Sequence, residues 1–306
     1  MNFTDYLQSK NHSVRTQQTY LRNVNDFLKW YNNDPVNCTK KDIVNFLDYL
    51  HTKECSSKTK SLFIISLNHY FSFLQLPTNP TALLKIRGTK KKTLYRIYTP
   101  EELEKLFDNY YHFYIQGFDD SSIPDNMKQR SLLSKYRNYI MLGFAVHQGL
   151  AAKELHRLCI NDIDLIKAVV NVKAAHKTNA RTLPLHASQI GALMHYIQTI
   201  RPQFLQSNTD NEQTLFIPFY DEGNTQKNTA TLYGCLQNFT NHIKAIDKNF
   251  VNLKQIRASV ITHWLKLHGL RKTQWLAGHR YISSTENYLA NNLAGLTDDI
   301  LKYNPF

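Results

Sequence analysis

Cysteine is scarce in this chain, and the few cysteines lie far apart. Cys38, Cys55, Cys159 and Cys235 form no C-x-x-C pair. Zinc and redox sites usually need cysteines a few residues apart, and disulfide frameworks are typical of short secreted chains. We therefore expect neither a zinc site nor a disulfide framework, and the pattern fits a reducing cytosol.

Glycine-rich loops and long apolar runs are also missing. The chain has 10 glycines, and none belongs to a G-x-x-x-x-G-K-[S/T] or G-x-G-x-x-G phosphate-binding loop. No segment reaches the ~18 consecutive apolar residues of a membrane-spanning helix. Residues 1–5 lack the basic-then-apolar pattern of a signal peptide. We expect no ATP, no metal or other cofactor, and no membrane partner.

Acidic residues are outnumbered by basic ones. The 306 residues include 37 lysines and arginines against 24 aspartates and glutamates, which gives a net charge of +13 and a pI near 9.4. This surplus indicates a polyanionic partner, most simply nucleic acid, although a merely basic soluble protein has the same composition. The hydrophobic fraction of 42% suffices for one large domain or two smaller ones.

Helix-spaced apolar residues dominate the first part of the chain. Residues 1–32 have the pattern of a helix, with Tyr20, Val24 and Phe27 on one stripe. Thr39 has the character of a helix cap. Residues 1–84 are therefore predicted to form a small helical bundle.

A basic segment at 85–98 follows this predicted bundle. It contains six basic residues and no acidic one up to position 96, namely Lys85, Arg87, Lys90, Lys91, Lys92 and Arg96. Such a run can follow the phosphate backbone of a nucleic acid. An ordinary solvated linker is the alternative.

Residues 99–290 mix predicted helices with a β-hairpin. The β-branched run at 168–172 and the run at 181–185 form two strands around a turn. Residues 115–130 are predicted as a polar loop, and residues 215–217 as a further short strand. The expected fold class is mainly α (α+β), with an N-terminal helical bundle and a larger, mostly helical domain that contains a small antiparallel sheet.

Four ordered motifs occur in this second region. They are Gly149-Leu150-Ala151-x-x-Glu154-Leu155, Lys177-Thr178-x-x-Arg181-x-x-Pro184-Leu185, Lys254-x-x-Arg257, and Ala277-Gly278-His279 with Tyr288 nine residues after the histidine. In this order and spacing they resemble the motif set of the tyrosine recombinases, or phage integrase family. The basic segment at 85–98 then lies where that family joins its two DNA-clamping domains, which favours DNA contact.

The resemblance assigns roles to these residues. Tyr288 would attack a scissile phosphate and form a 3′-phosphotyrosyl link. Arg257, Lys254 and His279 would stabilise charge, as an arginine fork matches two phosphate oxygens. Lys177 would protonate the 5′-oxygen, with Lys173 as the alternative. Arg181 is assigned, with the basic segment, to DNA contact.

The first catalytic arginine of the family falls on Ala151. Loss of such a phosphate clamp typically costs a few kcal/mol in the transition state. Three interpretations stay open: a deliberate replacement, an inactive relative that only binds DNA, or another cation in its place. His147, Lys153 and Arg157 are the candidate substitutes.

The resemblance also implies partners. We expect duplex DNA with specific recombination sites, a homo-tetramer linked through the tail at 291–306, and accessory DNA-bending proteins in some systems. The expected setting is the nucleoid of a prokaryotic cytoplasm, with integration or excision of a mobile element, or Xer-like resolution, as the role. A catalytically impaired DNA-binding relative and a topoisomerase-like enzyme are the alternatives.

Overall fold

The computed structural model describes residues 2–87, 95–175, 177–206, 212–218 and 232–289, except the side chain of Tyr233. Contacts divide the chain into two compact units, Met1–Lys92 and Thr93–Phe306. The tail at 291–306 and three lysines of the basic segment, Lys90, Lys91 and Lys92, lie outside the described residues. None of the described helices has the length and apolar character needed to span a bilayer.

The first unit is a helical bundle. It contains α1 (Phe3–Ser9), α2 (Val14–Tyr31), α3 (Lys40–Thr52) and α4 (Ser57–Phe73), with a 3-10 turn at Pro35–Asn37. Each helix begins at a capping side chain, and the four caps are Asn2, Ser13, Thr39 and Ser56. The aromatic rings of Phe27, Phe46 and Phe71 are buried between the helices. The predicted N-terminal bundle is confirmed.

The helical pattern predicted over residues 1–32 is interrupted, because the chain breaks between α1 and α2. Asn11 adopts a left-handed backbone with φ of 56°, which asparagine tolerates better than most residues. Ser13 then starts α2, where its hydroxyl accepts the Thr16 N–H over 3.3 Å. Two local polar signals therefore interrupt an otherwise helical apolar pattern.

The second unit is built from further helices around one buried helix. Its helices are α5 (Pro100–Tyr111), α6 (Asp125–His147), α7 (Ala152–Arg157), α8 (Ala187–His195), α9 (Arg201–Leu205), α10 (Leu232–Ile246), α11 (Leu253–Ala277) and α12 (Ile282–Glu286). Wide helical turns at His112–Gln116 and Tyr196–Ile200 follow α5 and α8. Every residue of α6 from Arg137 to Val146 is buried, so this helix forms the centre of the unit.

A three-stranded antiparallel sheet lies beside these helices. Its strands are β1 (Ile163–Asp164), β2 (Val169–Val172) and β3 (Arg181–Pro184), in the order β1-β2-β3. Because side chains alternate along a strand, Arg181 and Leu183 point to the same buried face of β3. The predicted hairpin and fold class are confirmed, and β1 is an additional strand.

Two predictions of local structure in this unit are wrong. Residues 215–217 do not form a strand but a buried segment with a bend at 215–216. Their neighbour Thr214 makes an isolated β-bridge to Cys159. A short apolar run can be buried without strand pairing. The loop predicted over 115–130 ends early, since α6 already begins at Asp125 after Pro124.

Phe27→Ala should destabilise the first unit by about 3–5 kcal/mol, because it empties a fully buried site between Tyr31, Phe46 and Phe71. Urea unfolding followed by tryptophan fluorescence measures the change, since Trp30 lies 6.2 Å from the Phe27 ring. The control is the exposed Lys29→Ala. Equal midpoints for both variants would contradict this packing.

Candidate active site

The buried carboxylate of Glu154 joins two arginines from distant parts of the chain. Arg181 Nη1 donates to Glu154 Oε1 over 2.8 Å, and Arg257 Nη1 donates to Oε2 over 2.9 Å. The exposed fractions of the side chains are 3% for Glu154, 0% for Arg181 and 10% for Arg257. One carboxylate is paired with two guanidinium groups. This arginine cluster (Glu154, Arg181 and Arg257) therefore has a net positive charge inside the unit.

Local structure holds the cluster in place. Glu154 lies in the first turn of α7, where negative charge is favoured, and its Oε2 also accepts the Ala151 N–H over 2.9 Å. Arg257 donates to the carbonyl oxygens of Gly149 over 2.6 Å and Ala277 over 2.8 Å. Arg257 therefore connects the start of α7 with the end of α11.

The cluster also sets the ionisation of its carboxylate. Burial raises the pKa of Glu154, but the hydrogen bond from Arg181 and the charges of Arg257 and Arg181 outweigh this effect. The net result is a pKa below the ordinary value for glutamate. Glu154 is therefore ionised at neutral pH and compensates part of the buried positive charge.

Gly278 lies directly against the Arg181 guanidinium. Gly278 ends α11 with φ of 68°, in the left-handed region that glycine adopts without strain. A Cβ atom at this position would lie 2.4 Å from Arg181 Nη1. The Nε and Nη2 atoms of Arg181 are buried and have no hydrogen-bond partner among the described residues. The Arg181 side chain thus requires glycine at the turn after α11, and two of its nitrogen donors have no hydrogen-bond partner among the described residues.

That turn brings His279 and Tyr288 together. Their ring centroids are 5.7 Å apart and the ring planes differ by 13°. His279 Nδ1 contacts the Oγ1 of buried Thr285 at 2.9 Å. The Thr285 carbonyl accepts the N–H of half-buried Tyr288 over 3.0 Å. One threonine in α12 therefore contacts both His279 and Tyr288.

The environment keeps the His279 imidazole neutral. Burial lowers the pKa of His279 to about 4, and the charges of Arg257 and Arg181 act in the same direction. At neutral pH the ring therefore carries one donor and one acceptor nitrogen.

The tip of the β2–β3 hairpin reaches the same turn. Thr178 forms an isolated β-bridge with His279, and the Asn179 N–H donates to the Gly278 carbonyl over 2.9 Å. Lys177 lies in this tip with an exposed side chain. The alternative, Lys173, forms a 3.0 Å ion pair with Asp162. The geometry therefore favours Lys177 over Lys173 as the hairpin lysine of the site.

Position 151 lies at the edge of the arginine cluster. Ala151 is the half-buried residue before α7, and its N–H is bonded to Glu154. Among the three candidate substitutes for the missing arginine, Lys153 and Arg157 are exposed on α7. His147 is enclosed in a separate group, 3.3 Å from a carboxylate oxygen of another helix.

Two further residues differ from the expectations. Arg181, which was expected to contact DNA, lies inside the unit. The residue that binds it, Glu154, belongs to the 149–155 motif, but the motif assigns it no role. Sequence signals existed for both: Arg181 alternates with apolar Leu183 in a strand, and Glu154 follows Ala151 by the spacing of a capping carboxylate.

The remaining predicted site residues lie on the surface or outside the described ranges. Lys254 is exposed one turn before buried Arg257, and no hydrogen bond or ion pair in the described ranges joins it to the arginine cluster. Lys85 and Arg87 are exposed, whereas Arg96 forms an ion pair with Glu102.

Glu154→Gln should destabilise the second unit by about 3–5 kcal/mol, because a neutral amide leaves two buried guanidinium groups uncompensated. Thermal and urea unfolding of the full chain measure the loss. Exposed Glu286→Gln is the control, with an expected change within about 0.5 kcal/mol. A Glu154→Gln variant as stable as the control would contradict the proposed charge balance.

Stability should fall as the pH decreases from 6.5 towards 4. In this window the unfolded chain protonates His279 near its ordinary pKa of 6.5, while the folded chain resists protonation down to a pKa of about 4. The unfolded state therefore binds more protons. His279→Gln should reduce the slope of the unfolding free energy against pH between pH 6.5 and 5. An unchanged slope would show that His279 titrates alike in both states.

Comparisons with known proteins agree with this architecture. Residues 1–75 match the N-terminal SAM-like domain of phage integrases, and residues 119–294 match the phage integrase family. Tyrosine recombinase XerD of Staphylococcus saprophyticus is 30% identical over 157 residues, which are 51% of this chain and 50% of that protein. XerD of Staphylococcus epidermidis is 29% identical over 157 residues, 50% of each chain. The chain spans about half the length of these curated relatives.

Solved structures share the fold. A lambda integrase dimer bound to a COC′ core site aligns with a TM-score of 0.59 and 15% identity, over 94% of this chain and 92% of that chain. The Tn1549 transposon integrase in complex with transposon right end DNA gives a TM-score of 0.60 and 14% identity, over 97% and 99%. With the family match extending over more than half of its residues, this chain belongs to the phage integrase family.

Proposed function

We propose that this chain is a site-specific DNA recombinase that cuts and rejoins duplex DNA through a phosphotyrosyl intermediate on Tyr288. The observation that carries the proposal is the stacked His279–Tyr288 pair beside the positively charged arginine cluster. An oxygen nucleophile next to fixed positive charge suits attack on a phosphodiester. The names of the relatives, XerD tyrosine recombinases, and the DNA-bound lambda and Tn1549 integrases support it.

In the proposed reaction the Tyr288 hydroxyl oxygen attacks the scissile phosphorus and releases its proton to bulk water. The bond from phosphorus to the 5′-oxygen breaks, a 3′-phosphotyrosyl ester forms, and the departing 5′-oxygen takes up a proton. Lys177 supplies that proton, and neutral His279 donates a hydrogen bond to the phosphate or to the Tyr288 oxygen. Arg257 and Lys254 stabilise the charge on the phosphate. The ester conserves the bond energy, so a 5′-hydroxyl of a partner strand can reverse the step without ATP.

The proposed partner is duplex DNA with specific recombination sites, held by a tetramer of this chain. The net charge of +13 and the exposed Lys85 and Arg87 in the basic segment support DNA binding. A lambda integrase tetramer was solved on a Holliday junction, which supports four protomers. Tail exchange through residues 291–306, accessory DNA-bending proteins and action within the prokaryotic nucleoid belong to the same proposal.

One observation favours a second candidate, a DNA-binding relative with little or no catalytic activity. Ala151 occupies the position of an arginine in the family motif, and no charged side chain replaces it at that position.

Mobile-element integration, excision and Xer-like resolution all remain within the first proposal, since each uses the same chemistry.

Tyr288→Phe should abolish formation of a covalent protein–DNA complex, because the phenyl ring lacks the nucleophilic oxygen. Bound sites are first selected from a random duplex library. A nicked suicide substrate with the selected site then traps the complex, which denaturing gels detect. Tyr281→Phe is the control, since Tyr281 is an exposed tyrosine in the same segment.

An adduct that persists in Tyr288→Phe would overturn the assignment of the nucleophile. Specific binding without any adduct would support the DNA-binding relative. Relaxation of supercoiled plasmid that lacks the selected site would support the topoisomerase-like alternative.

Ala151→Arg should raise the rate of covalent complex formation by about 10²-fold, since one preorganised donor to the transition state contributes about that factor. Ala151→Met, of similar length and without charge, is the matched control. Single-turnover cleavage of the suicide substrate gives both rates. An equal or lower rate for Ala151→Arg would show that another cation already fills the role.

A further inference from the structure

Three side chains able to bind a metal meet in the second unit, and none of them has a role in the proposed strand transfer. Glu104 lies on α5, His147 ends α6, and His186 precedes α8. Each offers one ligand atom, and these atoms all lie within 4.8 Å of one another. We propose that this Glu-His-His cluster binds one divalent transition-metal ion of the Zn²⁺ class.

Two of the ligand atoms already have the separation that such a site requires. Glu104 Oε1 and His147 Nδ1 are 3.3 Å apart. In a tetrahedral zinc site with bonds of about 2.0–2.1 Å, neighbouring ligand atoms are about 3.3 Å apart. An ion can therefore bridge this pair without movement of α5 relative to α6.

Burial fixes the ligand atom of His147 in place. Only 5% of its side chain is exposed, so the ring has little freedom to turn its Nδ1 away from Glu104. An imidazole nitrogen held beside a carboxylate oxygen is a ligand pair for a metal ion.

His186 completes the cluster by a side-chain rotation. Its ring is stacked on the His147 ring with centroids 4.5 Å apart and planes 11° from parallel. The nitrogen lone pairs of two parallel rings do not converge on one ion, so binding requires the His186 ring to turn. The side chain is exposed, and its Nδ1 contacts the Ser188 hydroxyl at 2.8 Å. The rotation therefore breaks the Ser188 contact and the stacking on His147.

The donor set and its surroundings define the class of ion. Two imidazoles and one carboxylate suit Zn²⁺ and its neighbours, whereas Mg²⁺ and Ca²⁺ prefer oxygen ligands alone. The three residues line an open cavity of about 480 Å³. Water in this cavity can supply the remaining ligand, as in zinc sites with three protein ligands.

The ion would connect segments that support the arginine cluster. His147 lies two residues before Gly149, whose carbonyl accepts from Arg257. His186 follows β3, which carries Arg181. Binding to the folded chain alone raises stability, so the expected effect is a more stable second unit.

The test uses the full-length, untagged chain after treatment with a chelator and without DNA. Isothermal titration with ZnCl₂ should give about one ion per chain, and CoCl₂ should produce the visible d–d bands of a four-coordinate ion. Zn²⁺ should raise the thermal unfolding midpoint. His186→Ala and Glu104→Gln should weaken binding by about ten-fold or more and remove the bands. Exposed His268→Ala is the control and should bind like the unchanged chain.

His186→Ala keeps the test decisive even if variants of buried His147 fail to fold, because His186 is exposed. Absence of stoichiometric binding, or equal binding by His186→Ala and Glu104→Gln, would overturn the proposal and indicate an adventitious surface ion. Because no DNA is present, the result is independent of the recombinase proposal.

Discussion

The carboxylate of Glu154 lies between two buried guanidinium groups, and the surrounding chain is arranged around this contact. Arg257 also donates hydrogen bonds to the carbonyls of Gly149 and Ala277. Arg181 also packs against Gly278, where its guanidinium leaves no space for a side chain. Three segments that are far apart in sequence are therefore fixed by one charge balance. Loss of Glu154 would leave two uncompensated guanidinium charges in the interior.

This contact also determines where His279 and Tyr288 lie. The turn at Gly278 sets the position of His279, and Thr285 links His279 to Tyr288. The cluster keeps a net positive charge, and two donor atoms of Arg181 have no partner within the described ranges. In the proposed reaction a DNA phosphate brings the negative charge that this interior lacks. The same charges help to hold the His279 imidazole neutral, so the cluster influences protonation as well as geometry.

Local sequence signals predicted much of the fold because their causes are local. The cap at Thr39 and the alternating pattern of the β2–β3 hairpin each depend on residues a few positions apart. The failures have identifiable causes: Ser13 starts a new helix within an apolar pattern, and residues 215–217 are buried without forming a strand, although the Leu215 N–H donates to the Leu158 carbonyl. Burial alone does not distinguish a strand from a bend.

At the candidate site, the residue types at the family spacings can be read directly from the chain, including the nine-residue step from His279 to Tyr288 and the alanine at position 151. The contacts of each residue become visible only in the folded chain. It placed Arg181 against Glu154 inside the unit, separated exposed Lys254 from buried Arg257, and brought Glu104 and His147 within 3.3 Å. The reason is physical: spacing fixes neighbours along one helix or strand, whereas charge pairing and ligand clusters join elements that packing alone brings together.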